Sequence, residues 1–179
     1  MPGPTLVIEL AKPLSQGALR EFRALLIGLS SRFDEERPGF FDIDVHAERL
    51  GVEDSRAEDR RRPFLVYLMG PGVGDETTFE AEHADEPEAE ALLGFRPTHA
   101  VNVSAGRNGE IDHAATALLT AAVMDVIGGV ANAELLDGQA SFVAGLPGVL
   151  GIVDDDQIAL GSAEFLRAWV GHPAFRLVK

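Results

Sequence analysis

Hydrophobic positions recur along the chain with two periods, and they predict strands and helices in turn. Apolar residues spaced by three and four predict a helix that begins after Ser15 as N-cap and ends before Pro38 and Gly39. Strict alternation of apolar and polar residues, and short apolar runs, predict strands around this helix. The predicted elements are a strand over Thr5–Leu10, a helix over 16–33, and strands over 40–47 and 64–69, with a charged loop over 48–62.

The remainder of the chain repeats this order less clearly. Its clearest element is a helix over 113–127, with a broad apolar face, Asp112 as N-cap and a left-handed exit at Gly128 and Gly129. The other predicted elements are helices over Pro87–Leu93 and Ala163–Val170, and strands over 99–104, 130–136, Val149–Val153 and 175–178.

This order predicts an α+β fold in a single domain, 1–179. A mixed or mostly antiparallel sheet would be covered by the helices over 16–33 and 113–127. Two ferredoxin-like halves, 1–70 and 95–179, joined by an acidic connector over 71–94, are one arrangement of this kind.

The net charge of the chain limits the classes of partner that we expect it to bind. The chain carries 15 Lys and Arg against 29 Asp and Glu, for a formal charge of -14. Such a surface repels phosphate, so nucleic acid and anionic membranes are excluded as expected partners. Between Arg62 and Arg96 the sequence contains no basic residue except His83, which we expect to be solvated. The predicted partner-binding residues are Glu80, Glu82, Glu86 and Glu88. The alternative is that these charges serve solubility only.

Cysteine content and hydropathy bear on compartment and cofactors. The chain has no cysteine, which excludes disulfides and thiolate metal sites. It shows no basic leader with an apolar core and no apolar run long enough to span a bilayer, so we expect a cytoplasmic protein without a cofactor.

One strand offers candidate metal ligands. In the strand over 40–47, Asp42, Asp44 and His46 share a face because side chains alternate along a strand. Oxygen and nitrogen ligands of this kind suit a divalent cation, so the alternative function is a small metal-dependent hydrolase. Neighbouring side chains on one face are about 6.5–7 Å apart, so a solvated outer face is the competing interpretation.

Other polar motifs predict turns. Gly70, Gly72 and Gly74 follow a strand but precede acidic residues that would repel a phosphate. The triplet 154–156 is three aspartates and predicts a charged hairpin tip.

The residues from Leu93 to Val178 resemble small bacterial families of unknown function, which are in turn similar to immunity proteins of polymorphic-toxin systems. The resemblance is carried by Leu93-Gly94-Phe95-Arg96-Pro97, Asp112-His113, Gly128-Gly129-Val130 and Ala168-Trp169-Val170-Gly171-His172-Pro173-Ala174-Phe175. It implies a non-enzymatic inhibitor that binds a protein partner, here a basic toxin domain, and it carries over no catalytic residue. A ferredoxin-like dimer that binds a small apolar ligand is a third hypothesis.

Overall fold

The strands of the chain form one sheet, and different helices pack on its two faces. The computed structural model describes residues 2–53, 60–83, 85–155 and 157–179. Within them, eight strands form a single antiparallel sheet in the order β2-β3-β4-β5-β1-β6-β8-β7. The strands are β1 (Thr5–Leu10), β2 (Ser30–Arg37), β3 (Phe40–His46), β4 (Arg61–Met69), β5 (His99–Ala105), β6 (Val130–Glu134), β7 (Val149–Val153) and β8 (Ile158–Gly161). The helices are α1 (Gln16–Leu29), α2 (Glu76–His83), α3 (Pro87–Leu93), α4 (Glu110–Ile127), α5 (Ala140–Val143) and α6 (Ala163–Val170), with a 3-10 turn over Ala47–Leu50.

The first face of the sheet packs against α1, α4 and α6 and holds the main core. Phe41, Ile43 and Val45 point to it from β3, as their alternation predicted, and each is fully buried. Helix α4 lies between α1 and α6, so Leu119 is fully buried as well. The α+β fold class predicted from the sequence is therefore confirmed.

The first predicted helix ends earlier than expected. Helix α1 begins after Ser15, whose side chain accepts from the Ala18 amide at 3.1 Å, but it ends at Leu29 rather than at 33. Residues Ser30–Arg37 form strand β2, which pairs with β3. Pro38-Gly39 is the turn of this hairpin rather than a helix exit, and Gly39 has the positive φ of 80° that the turn requires.

The structure differs from the expectations at four further points. Asp112 lies in the first turn of α4, and Gly109 is the N-cap; the Asp112 carboxylate accepts from the Gly109 amide at 2.7 Å. The acidic connector contains α2, and β8 follows β7 as an additional strand. Residues 175–178 form no strand, because the Leu177 amide donates to His113 Nδ1 at 3.1 Å rather than to a neighbouring strand. Of the predicted loop over 48–62, residues 54–59 lie outside the described residues.

Strand β1 connects the two parts of the chain. It pairs with β5 on one side and with β6 on the other, so the first strand occupies the interior of a sheet completed by much later residues. One continuous sheet therefore contains the strands of both predicted halves.

Candidate protein-binding surface

The second face of the sheet carries α2 and α3, and four glutamates project from these helices. Glu80 and Glu82 lie on α2, Glu86 is the N-cap position of α3, and Glu88 is in its first turn. All four side chains are exposed, as predicted for a surface segment. Among the described residues, no Lys or Arg forms an ion pair with any of them. We call these four residues the acidic surface.

Helix α2 is fixed to the sheet by two buried side chains one helical turn apart. Phe79 packs against Met69 and Ala100, and His83 places Nδ1 2.8 Å from Glu9 Oε1 on β1. Since positions four apart share one face of a helix, this contact turns Glu80 and the rest of the outer face towards solvent.

The contact between Glu9 and His83 is a buried ion pair. Their side chains are 3% and 5% exposed, and Asn132 Nδ2 also donates to Glu9 Oε1 at 3.0 Å. Burial lowers the pKa of His83, but the hydrogen bond and charge of Glu9, with the charges of Glu82 and Glu86, outweigh it and raise the pKa above its usual value. The raised pKa favours the protonated ring, which donates from Nδ1 to the Glu9 carboxylate.

Two neighbouring aspartates have basic partners. Arg37 on β2 donates from Nη1 to the Val73 carbonyl at 3.0 Å and from Nη2 to Asp75 Oδ2 at 2.5 Å, just before α2 begins. Arg96 lies 3.1 Å from Asp85 Oδ1. The described acidic side chains of this segment that have no Lys or Arg partner are therefore those of the acidic surface and Glu76, whose carboxylate accepts from the Gly72 amide at 2.9 Å.

Helix α3 is held by apolar contacts with the β7-β8 hairpin. Ala89 and Leu93 pack against Val153 and Leu160 in a small separate core. The start of α3, which carries Glu86, consequently lies beside the turn of this hairpin.

Two aspartates of the hairpin turn extend the negative charge. Asp154 and Asp155 have positive φ values of 56° and 49°, which short polar side chains tolerate in tight turns. A groove of about 400 Å³ lies between this turn and α3. It is lined by Glu86, Pro87, Glu88, Val153, Asp154 and Asp155, and we call it the acidic groove. The predicted hairpin tip is thus present in its described part, and Asp156 lies outside the described residues.

The candidate metal ligands lie elsewhere, on the outer face of β3. Arg32 on β2 contacts Asp42 Oδ1 at 2.5 Å and Asp44 Oδ2 at 3.1 Å, so the two carboxylates share a guanidinium. His46 lies at the far end of the same face. In the part of the chain that the structure describes, no group of three His, Cys, Asp or Glu side chains could hold a metal ion. The hydrolase alternative gains no support from this geometry.

A larger groove of about 620 Å³ lies at the start of α4 and has mixed charge. Arg62 and Asp112 line it and form a buried ion pair at 3.5 Å. Since basic and acidic side chains alternate around it, this groove does not favour one class of partner.

Sequence reasoning missed the buried pair beneath α2. His83 is 5% exposed rather than solvated. Glu9 is the only charged residue in an otherwise apolar and β-branched strand, and this was the available signal that it needs a buried partner. Nothing in the sequence identified that partner, because 74 positions separate the two residues.

None of the helices in the described ranges combines the length and apolar character needed to cross a bilayer.

Comparison with known proteins gives one match. A family model described as a family of unknown function (DUF6368) matches residues 2–179. The resemblance to a family of unknown function is thereby confirmed, and the match extends it from the C-terminal half to the whole chain. No curated protein and no solved structure matches the chain.

Proposed function

The chain belongs to DUF6368, a family of unknown function, and we propose that it is a non-enzymatic protein-binding domain whose acidic surface engages a basic partner protein. The observation that carries this proposal is the grouping of four exposed glutamates, without Lys or Arg partners among the described residues, beside the acidic groove.

The physical argument concerns how the charges are distributed. A surface without a binding role usually has charges of both signs interspersed, because a large field of one sign is needed only to attract a partner. Here like charges are gathered on two neighbouring helices, which costs repulsion. The helices are fixed from beneath by the Glu9–His83 pair and by the Leu93 cluster, so the backbone that carries the carboxylates need not be ordered when a partner arrives. A fixed field of one sign accelerates encounter with a partner of the opposite sign.

The finer proposal is that this partner is a basic toxin domain, which the chain would silence as an immunity protein. It rests on the resemblance of the C-terminal half to families similar to immunity proteins, and on charge complementarity with a basic partner.

The test uses two variants with the same change in charge. In the first, Glu80, Glu82, Glu86 and Glu88 become Gln. In the matched control, four exposed acidic residues on α1, β2 and α6 become amides: Glu21→Gln, Asp34→Asn, Glu36→Gln and Glu164→Gln. Each protein is immobilised and used to capture proteins from the organism that carries the gene.

We expect a basic protein that the wild type and the control capture and the acidic-surface variant does not. Stopped-flow kinetics with that purified protein should show slower association for the acidic-surface variant and a weaker dependence on salt. Equal association rates for the two variants would refute the proposal, because the position of the charges would then be irrelevant.

A further inference from the structure

The two edges of the sheet differ in how they are protected. Strand β2 carries charges at five of its eight positions. Strand β7, at the opposite edge, has the sequence VLGIV and carries none. Proteins usually protect an exposed edge with charges or proline, because its free backbone groups can pair with another chain. The β7 edge lacks both devices.

The outer side of β7 is accessible. Leu150 is 49% exposed, and Val149, Gly151 and Ile152 are half-buried. On its inner side β7 pairs with β8, and among the described residues no strand pairs with its outer side. The pairing of β7 with β8 shifts register between Val149 and Gly151, so the regular stretch from Gly151 to Val153 is the part of this edge that offers backbone groups to an added strand.

The β7 edge is continuous with the acidic groove. Val153, the last residue of β7, lines that groove beside Asp154. Helix α3 rests on the same strand, since a Cβ atom on Gly151 would lie 2.6 Å from Leu92 Cδ1. An extended segment on this edge would therefore reach apolar side chains along β7 and carboxylates at its end.

We propose that the basic partner adds an extended segment to the β7 edge as a ninth strand, with Lys or Arg side chains in the acidic groove. This inference rests on the proposed function, and it names the form in which the partner binds. Main-chain hydrogen bonds supply affinity in such strand addition, and alternate side chains supply specificity. A second copy of this chain is the less favoured occupant, because each copy carries a formal charge of -14.

The experiment uses the whole chain and a synthetic eight-residue peptide that alternates valine and lysine. Two further isomers of this peptide carry N-methyl groups on alternate amides. Because alternate amides of an extended peptide point to the same edge, each isomer has lost the N–H donors of one edge and keeps those of the other. Binding is measured by fluorescence anisotropy at low salt, and hydrogen exchange of the β7 amides is followed with and without peptide. Leu150→Glu is compared with Ile27→Glu, a control on α1 whose parent side chain is 52% exposed.

We expect the peptide to slow exchange in β7 and one N-methylated isomer to bind roughly tenfold more weakly than the other. Leu150→Glu should also weaken binding by roughly tenfold although it adds a negative charge, whereas Ile27→Glu should have little effect. The acidic-surface variant should bind the peptide more weakly than the wild type.

Other outcomes separate the two proposals. Binding that needs the acidic surface but treats both isomers alike, without slower exchange in β7, overturns strand addition and leaves the proposed function standing. Binding unaffected by the four Glu→Gln changes overturns the role of the acidic surface. The β7 amides could also be protected without peptide, with a protection that increases with protein concentration while the measured mass becomes that of a dimer. That result identifies a second copy of the chain as the occupant and overturns a basic partner at this edge. Absence of binding at low salt overturns strand addition by a basic segment.

Discussion

Replacement of His83 by leucine should destabilise the fold through the carboxylate that it leaves behind. His83 stacks on Phe79 with ring centroids 5.5 Å apart, so leucine keeps much of the apolar contact. What disappears is the positive charge 2.8 Å from Glu9 Oε1. The Glu9 carboxylate then keeps one hydrogen bond, from Asn132.

The magnitude follows from burial. Because Glu9 and His83 are 3% and 5% exposed, solvent screens their interaction little. Removing one partner of such a pair costs about 3–5 kcal/mol, and the remaining amide donor places His83→Leu near the lower end of that range. Adding Glu9→Leu should recover most of the loss, because a buried pair replaced by apolar residues is often nearly neutral.

Urea unfolding followed by circular dichroism at neutral pH measures these free energies. Glu80→Gln, an exposed change on the same helix, is the control and should stay within about ±0.5 kcal/mol. The reasoning fails if His83→Leu also stays within that range. It fails too if the double variant is as unstable as the single one, since the loss would then come from packing and not from an unpaired charge.

Three other predictions concern stability and metal content. Truncation of the fully buried Leu119 to alanine should cost about 2–5 kcal/mol in the same unfolding assay, and a negligible change would mean that α4 does not pack as described. Stability should fall on both sides of about pH 6.5. The pKa of His83 is raised in the folded chain, so above that pH the folded chain binds more protons than the unfolded chain and stability falls as the pH rises. Burial lowers the pKa of His113, so below that pH the unfolded chain binds more protons than the folded chain and stability falls as the pH decreases. In a plot of the free energy of unfolding against pH, His83→Leu should therefore reduce the slope above about pH 6.5, and His113→Gln should reduce the slope below it. Finally, elemental analysis should find no stoichiometric metal and a chelator should leave the melting temperature unchanged; bound metal lost with Asp44→Ala would contradict the pairing of that carboxylate with Arg32.

Elements with one buried face were predictable because alternation reports burial directly. Strand β3 is the example: Ile43 and its neighbours two positions away are fully buried, and the intervening aspartates are not. The end of α1 was not predictable in this way. Phe33 continues the helical spacing, yet in the structure it lies on β2 with its ring centroid 5.6 Å from that of Phe41. That contact depends on pairing between β2 and β3, and the spacing of apolar residues within one segment does not show which other segment it pairs with.

The candidate site also has features that the sequence predicts and features that only the fold reveals. The exposure of Glu80 and Glu88 followed from their place in a run of acidic residues that contains no Lys or Arg. The acidic groove did not, because it forms where α3 meets the hairpin turn at Asp154, and the sequence does not state which helix packs on which hairpin. Recognition of the Glu9–His83 pair likewise required the fold.

The placement of β1 between β5 and β6 has a consequence for synthesis of the chain. Both strand neighbours of β1, which are β5 and β6, are made later, with β5 ending at Ala105. At about 5–20 residues per second, a ribosome needs on the order of 5–20 s to extend the chain from β1 to the end of β5. During that interval β1, in which four of the six residues are apolar, has no partner, which is the situation in which chaperones bind nascent chains and aggregation competes with folding. Nascent chains stalled before His99 should therefore remain sensitive to protease throughout β1, and protection should appear only after β5 has left the ribosome.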